Sequence, residues 1–267
     1  MYKEFLVSNV FSEAYIDACV EALDCYDLGV PVVSRARGFF SAADEVEVPA
    51  TASVVRDGLI TFSGNLTDQN RKDAQNAYHY ASLVATKMFP LEHQGKEWYA
   101  QFCKVMGQAG WMSLSMYYNN LNVSGTSVRM DKLVLEILAS IVTGLTVPGP
   151  STALMLKTAG DAIAALQKRD TALTLYERNI LNQGVGGVTV GSCIDVNGTN
   201  IFAIGTVRFT RGNSSTKVLF VDTDVRNVGL YRGETAFEKN ETLAEATRQL
   251  IASKIVAYAT ETLDYDI

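Results

Sequence analysis

The stretch that decides the fold is VTVGSCIDV at residues 188–196, followed by Asn197-Gly198 and by IFAIGTVRF at residues 201–209. Both runs are rich in β-branched and aromatic residues, which favour strands. Asn-Gly between two such runs is typical of a type I′ turn, because both residues tolerate a positive φ. The sequence therefore predicts a β-hairpin here, with a third strand at Lys217–Val221.

The chain before this antiparallel meander, which lies near residues 185–221, is predicted to be mostly helical. Apolar residues at helical spacing predict six helices, at Ser12–Leu28, Thr67–Phe89, Lys96–Asn119, Met130–Leu145, Ser151–Arg169 and Leu173–Ile180. A small hairpin near residues 51–62 interrupts them, since Asp57-Gly58 separates two apolar runs. A last helix, from Asn240 to Leu263, has an apolar face suited to packing on the sheet.

These elements predict an α+β protein whose N-terminal two-thirds is mostly helical and whose C-terminal helix packs on the sheet. Residues 1–267 are expected to form a single compact domain, because no linker or internal repeat divides them. A soft subdivision separates a helical part, residues 1–183, from the meander and last helix in residues 184–267.

The predicted helix at Lys96–Asn119 has the clearest periodicity in the chain. Its apolar residues recur at alternating steps of three and four, at Trp98, Phe102, Val105, Ala109, Met112 and Met116. This spacing favours a buried helix packed against other helices.

Composition excludes several classes of function. The net charge is −6 and the pI is near 5.0, so the chain lacks the basic surface that nucleic-acid binding needs. The glycines of residues 184–187 follow a predicted helix and precede a strand, the reverse of a dinucleotide-binding loop. With only two histidines and no metal-type cysteine spacing, the sequence predicts no metal site and no identifiable catalytic residues.

The N-terminus has no basic segment followed by an apolar run, so no signal peptide is expected. The protein is expected to be made in the cytoplasm and then either released or associated with a membrane. The apolar segments at Met130–Leu145 and Ser151–Arg169 form a helical hairpin around Pro148-Gly149-Pro150. Such a hairpin is either the core of a helical layer or the membrane-inserting element of an α-type pore-forming toxin.

Cys193 is the candidate for chemistry. On a strand it shares a face with Thr189, Gly191 and Asp195, and Gly191 is expected to leave space beside the thiol. An acyl chain or a reagent could then reach it. The alternative is an ordinary cysteine packed within a sheet.

In its length, its order of elements, the segments around Trp98–Trp111 and Asp131–Leu145, and the late Gly191-Ser192-Cys193 strand, the chain resembles the Evf-type bacterial virulence factors. That family is a compact α/β fold associated with persistence in the insect gut, and it carries palmitate as a thioester in a hydrophobic tunnel. The resemblance implies that Cys193 carries the fatty acid. It also implies a tunnel whose predicted lining residues are Met112, Leu133, Ile137, Leu138 and Ile141.

The favoured expectation is a non-enzymatic virulence or host-interaction protein that carries a fatty acid and acts at membranes. Its partners would be a fatty acid or a lipid membrane, and covalent palmitate would be its only prosthetic group. Three alternatives remain: a pore-forming toxin using the hairpin 131–168, a thiol acyltransferase or hydrolase with an acyl intermediate on Cys193, and a structural or assembly protein with no ligand. The sequence does not reveal the oligomeric state.

Overall fold

A computed structural model describes residues 11–29, 52–122, 127–145, 147–182, 186–209, 219–224 and 229–264. Within these ranges the α-helices are α1 (Glu13–Cys25), α2 (Asp68–Met88), α3 (Gly95–Gln108), α4 (Met130–Gly144), α5 (Gly149–Gln167), α6 (Asp170–Asn182) and α7 (Glu241–Asp264). The strands are β1 (Ala52–Val55), β2 (Gly58–Ser63), β3 (Trp111–Asn120), β4 (Ser127–Val128), β5 (Gly186–Val196), β6 (Thr199–Phe209), β7 (Thr223–Asp224) and β8 (Leu230–Lys239). A short 3₁₀ helix, Glu92–Gln94, leads into α3.

Six strands form one mixed sheet in the order β1-β2-β5-β6-β8-β3, while β4 and β7 pair separately. β2 runs parallel to β5, and the other neighbours in the large sheet are antiparallel. The N-terminal hairpin β1-β2 and the strand β3 thus join the same sheet as the strands that follow residue 186.

Helices cover both faces of this sheet. Successive side chains of a strand point to opposite faces, so the apolar residues of each strand are divided between two helical layers. On one face, Phe62, Cys193, Phe202 and Phe237 pack against residues of α1, α2, α3 and α7. The opposite face presents a second set of apolar strand residues to α4, α5 and α6. The fold therefore has three layers, with the sheet in the middle.

The predicted mixed α+β fold is confirmed, and so are both predicted hairpins. Asn197 and Gly198 have φ values of 55° and 86°, as a type I′ turn requires. Arg56, with a φ of 54°, begins the turn between β1 and β2.

The single long helix predicted at Lys96–Asn119 is wrong in its second half. α3 ends at Gln108, and Gly110 has a φ of 91° that a continuing helix does not allow. Residues 111–120 then form β3, an edge strand paired with β8. The apolar spacing runs on past Gly110 by coincidence, since Met116 is half exposed in the strand.

Two predictions about the C-terminal part also need correction. Residues 219–221 form no strand, and residues 217–218 lie outside the described part of the chain. The strand that follows β6 in the sheet is β8, whose residues 230–238 pair with residues 201–209 of β6. The C-terminal helix α7 was predicted to pack on the sheet, but it packs mainly against α1 and α2.

Gly110 fixes the junction between α3 and β3. A Cβ at this position would lie 2.5 Å from the backbone nitrogen of Ala244 in α7. We expect Gly110→Ala to lower the free energy of unfolding by about 2–4 kcal/mol, from the positive φ and the clash together. Gly107→Ala is the matched control: a Cβ there meets no atom within 4 Å. It should leave stability unchanged or raise it by roughly 0.5–1 kcal/mol. Equal losses in urea denaturation of the two variants would contradict this account.

Candidate functional site

Cys193 lies in the middle of β5 and its side chain is fully buried. Its neighbours in register are Phe62 on β2 and Phe202 on β6, and all three belong to one apolar cluster. Burial raises the pKa of the Cys193 thiol well above its usual range, so it is protonated at neutral pH. In this state the sulfur is a weak nucleophile.

The space that Gly191 was expected to leave beside Cys193 is occupied, so that prediction is wrong. A Cβ on Gly191 would lie 2.7 Å from the ring of Phe202 and 3.0 Å from the side chain of Ile60. The glycine therefore permits close packing of its neighbours. An acyl chain that extends from Cys193 over Gly191 would have to displace these two side chains.

The structure does not bring the predicted tunnel residues together with Cys193. Ile137, Leu138 and Ile141 are buried on α4 and Leu133 packs beside them, all against the opposite face of the sheet. Met112 lies partly buried on β3, and its pairing with Glu238, next to Phe237, places it on that opposite face too. The strands of the sheet thus separate the predicted attachment point from all five of its predicted lining residues.

The other cysteines and the histidines are also spread over the fold. Cys19 and Cys103 are buried, whereas Cys25 at the end of α1 is exposed. Burial, assisted by the charge of Arg56, lowers the pKa of His79 to about 4. Among the described residues, no cluster of three His, Cys, Asp or Glu side chains is arranged to hold a metal ion.

A buried ion pair, which the sequence analysis missed, lies at one end of the sheet. Arg208 on β6 contacts Asp57 of the β1-β2 turn at 2.9 Å, and their side chains are 2% and 0% exposed. The hydroxyls of Tyr78 and Ser82 on α2 donate to the same carboxylate, at 3.1 and 3.3 Å. The guanidinium carbon lies 3.8 Å from the centre of the Trp98 ring. The sequence signal that could have indicated this ion pair is Arg208, a charged residue within the otherwise apolar run of β6.

The helical layer of α4 and α5 has an unusual distribution of charge. No charged residue occurs from Ile137 to Leu156, a stretch of 20 residues that ends α4, turns at Pro148–Pro150 and begins α5. Leu154 in this stretch is 41% exposed. None of the helices in the described part of the chain combines the length and the apolar composition that crossing a bilayer requires.

The chain matches no protein-family model and no curated protein. Its fold resembles toxin and virulence-factor structures. A structure entitled delta-endotoxin aligns at 8% identity and a TM-score of 0.37, over 79% of this chain and 91% of its own. The structure of the Evf virulence factor aligns at 10% identity and a TM-score of 0.34, over 76% of this chain and 84% of its own. The expected resemblance to Evf therefore holds as a weak likeness of fold, which says nothing about activity.

The burial of three cysteines predicts the outcome of thiol titration. In the native protein a disulfide reagent should react rapidly with Cys25 alone, whereas all four cysteines should react after unfolding in urea. Cys25→Ser should abolish the rapid phase. Rapid reaction of a second thiol in Cys25→Ser, mapped to Cys193 by peptide mass spectrometry, would contradict the packing described above.

Proposed function

We propose that this protein is a host-interaction or virulence protein that acts at lipid membranes, and that the tip of the α4–α5 hairpin makes the membrane contact. The hairpin tip is defined as residues 137–156. The observation that carries the proposal is the absence of charge from all 20 residues of this segment, although part of it lies at the surface.

Exposed segments usually carry charged side chains, so an uncharged tip calls for a reason. Its surface positions hold small or weakly polar residues together with Leu154. Moving such residues into the headgroup region removes apolar area from water without the cost of transferring a charge. The nearest charges on either side are Glu136 and Lys157, which can stay in water while the tip enters the interface.

The packing of the hairpin sets the depth of insertion. Ile137, Leu138 and Ile141 on α4, and Met155 on α5, are buried against the sheet. If only the hairpin tip enters the headgroup region of the membrane, the contacts of α4 and α5 with the sheet stay intact. A pore, which is the alternative role for the hairpin 131–168, requires α4 and α5 to leave the sheet. Release of an entrapped dye from vesicles separates the two roles, because interfacial binding alone causes no leakage.

The membrane contact can be tested with a fluorophore on the tip. In a Cys25→Ser background, an environment-sensitive dye on Ala153→Cys should shift to shorter wavelength with phosphatidylcholine–phosphatidylglycerol vesicles. The same dye on Lys72→Cys, at an exposed position of α2, is the control and should not shift. No shift at residue 153, or equal shifts at both residues, would exclude the tip as the contact.

A charge on the tip should weaken vesicle binding. Leu154→Asp is expected to reduce the partition coefficient by about tenfold or more, since an acidic side chain resists transfer to the interface. Leu91→Asp is the matched control, because Leu91 is 52% exposed outside the tip. Equal vesicle binding by the two variants in a sedimentation assay would count against the proposal.

A second candidate function is the covalent fatty acid on Cys193. What supports it is the position of Cys193 in an apolar cluster of aromatic and aliphatic side chains, which would keep a thioester away from water. A buried acyl chain gains about 0.8 kcal/mol per methylene group. Since Phe202 and Ile60 fill the adjacent space, the chain must be attached before these side chains pack or must move them aside.

The intact mass of the purified protein tests the thioester. The acyl proposal predicts an added fatty-acyl mass that hydroxylamine removes and that is absent from Cys193→Ser. Cys25→Ser is the control and should retain the adduct. An unmodified mass would reject the stable adduct. Turnover of acyl thioesters that is lost in Cys193→Ser would instead favour the enzyme with an acyl intermediate.

A further inference from the structure

The six-stranded sheet ends in two unequal edges. β1 forms one edge with four residues, whereas β3 forms the other with ten. Within the described part of the chain, β8 is the sole strand that pairs with β3, so the outer side of β3 presents unpaired backbone N–H and C=O groups. One further extended strand would pair all of these groups at once. The edge of β3 is therefore a place where a second chain can join the sheet.

β3 lacks most of the features that protect edge strands from such pairing. Natural sheets use short edge strands, charged side chains and prolines for this purpose. The sequence of β3, WMSLSMYYNN, contains no charged residue and no proline. Its one irregularity is a bulge between Ser113 and Ser115, and from Ser115 to Asn120 it pairs with β8 residue by residue. A regular, uncharged edge of residues 115–120 thus remains open.

Large apolar side chains are concentrated at this edge. Leu114, Met116 and Tyr117 are 50%, 50% and 58% exposed. Single exposed apolar side chains are ordinary, but a group of them beside unpaired backbone indicates an interaction surface. Met116 lies opposite Thr235, on the face that α3 covers, and Tyr117 lies opposite Glu234, on the other face. A strand paired with β3 would cover apolar side chains on both faces.

The residue pattern of this edge fits a second copy of itself. Around a two-fold axis at Tyr117, antiparallel pairing places Met116 of one copy opposite Tyr118 of the other, and Ser115 opposite Asn119. Apolar side chains then meet apolar ones, and polar side chains meet polar ones. At the axis the Tyr117 rings of the two copies meet, and aromatic pairs of this kind are favourable.

The distribution of charge also favours a second copy at this edge. The chain has a net charge of −6, so two copies repel each other in general. β3 contributes no charge to the contact. The β8 residues opposite 115–120 carry two charges, Arg232 and Glu234, which form an ion pair with each other. Two identical edges can therefore approach here without bringing unpaired like charges together on these strands.

We propose that the protein forms a two-fold symmetric dimer in which residues 115–120 of two β3 strands pair antiparallel. The sheets of the two copies then become one continuous sheet. Each β3 edge is covered by the other, so the assembly closes at two copies and leaves the short strand β1 at either end. The proposal rests on β3 alone and is independent of the hairpin tip.

Sedimentation velocity of the purified full chain tests the dimer. The mass should rise from 29.1 kDa toward twice that value through the micromolar concentration range, since one strand from each copy makes a small interface. Tyr117→Lys should raise the dimer Kd about tenfold or more, because two lysines would lie opposite each other. Met88→Lys is the matched control, since Met88 is 46% exposed on α2, and it should dimerise as the parent chain does. A mass of 29.1 kDa throughout, masses beyond two copies, or equal Kd values for the two variants overturn the proposal.

Cysteine cross-linking tests the register without adding a charge. In a Cys25→Ser background, a mild oxidant should join two copies of Tyr117→Cys through a disulfide, because the two-fold axis places these thiols opposite each other. Asn120→Cys, at an exposed position of the same strand, is the control. Its two thiols would lie about 20 Å apart along the paired strands and should not cross-link. Absence of cross-linking at residue 117, or equal cross-linking of both variants, overturns the proposed pairing.

Discussion

The ion pair between Asp57 and Arg208 connects parts of the chain that are distant in sequence. Asp57 belongs to the turn of the N-terminal hairpin, and Arg208 lies near the end of β6. Two hydroxyls of α2 and the Trp98 ring of α3 surround the pair. Charges buried this deeply are tolerated only when each has its partner, and removing one partner of such a pair typically costs about 3–5 kcal/mol. The N-terminal hairpin, the sheet and the layer that contains α2 and α3 must therefore all be folded for the pair to form.

The sheet divides the molecule into two sides. The hairpin joins the sheet through the parallel pairing of β2 with β5, next to the strand that carries Cys193. The sheet then buries apolar residues on both faces, because helices cover it on both sides. Cys193 packs against the layer of α1, α2, α3 and α7, and the Asp57–Arg208 pair contacts α2 and α3 of that layer, while the uncharged hairpin tip belongs to the other layer. The physical demands on the two layers differ: dense packing of charges and aromatic rings on one side, and a surface without charge on the other.

The parts of the fold that follow from local chemistry could be predicted from the sequence. Asn197-Gly198 specifies its turn directly, and the helix at Met130–Leu145 has a sustained apolar face. Asp57-Gly58 marks the N-terminal hairpin correctly, but the turn itself is Arg56-Asp57, with the positive φ on Arg56, and Gly58 begins β2. β3 was missed because its apolar residues happen to continue the helical spacing of α3 past Gly110. β8 was missed because charged residues interrupt its sequence, LYRGETAFEK, and only its position inside the sheet makes it a strand. The pairing of β2 with β5 and the partner of Arg208 depend on contacts between distant segments, which no local pattern contains.

The position of the sheet limits how lipid chemistry and membrane contact can be combined. An acyl chain on Cys193 starts on the face that carries Phe202 and Phe237, whereas α4 lies against the other face. The chain cannot reach the apolar side of α4 without passing between hydrogen-bonded strands, and separating strands exposes backbone groups that need partners. If Cys193 is acylated, its lipid must therefore occupy the layer of α1, α2, α3 and α7, and the hairpin tip must contact membranes without it. The two proposals are thus mechanically independent, and a variant of Cys193 that folds should bind vesicles as well as the parent chain does.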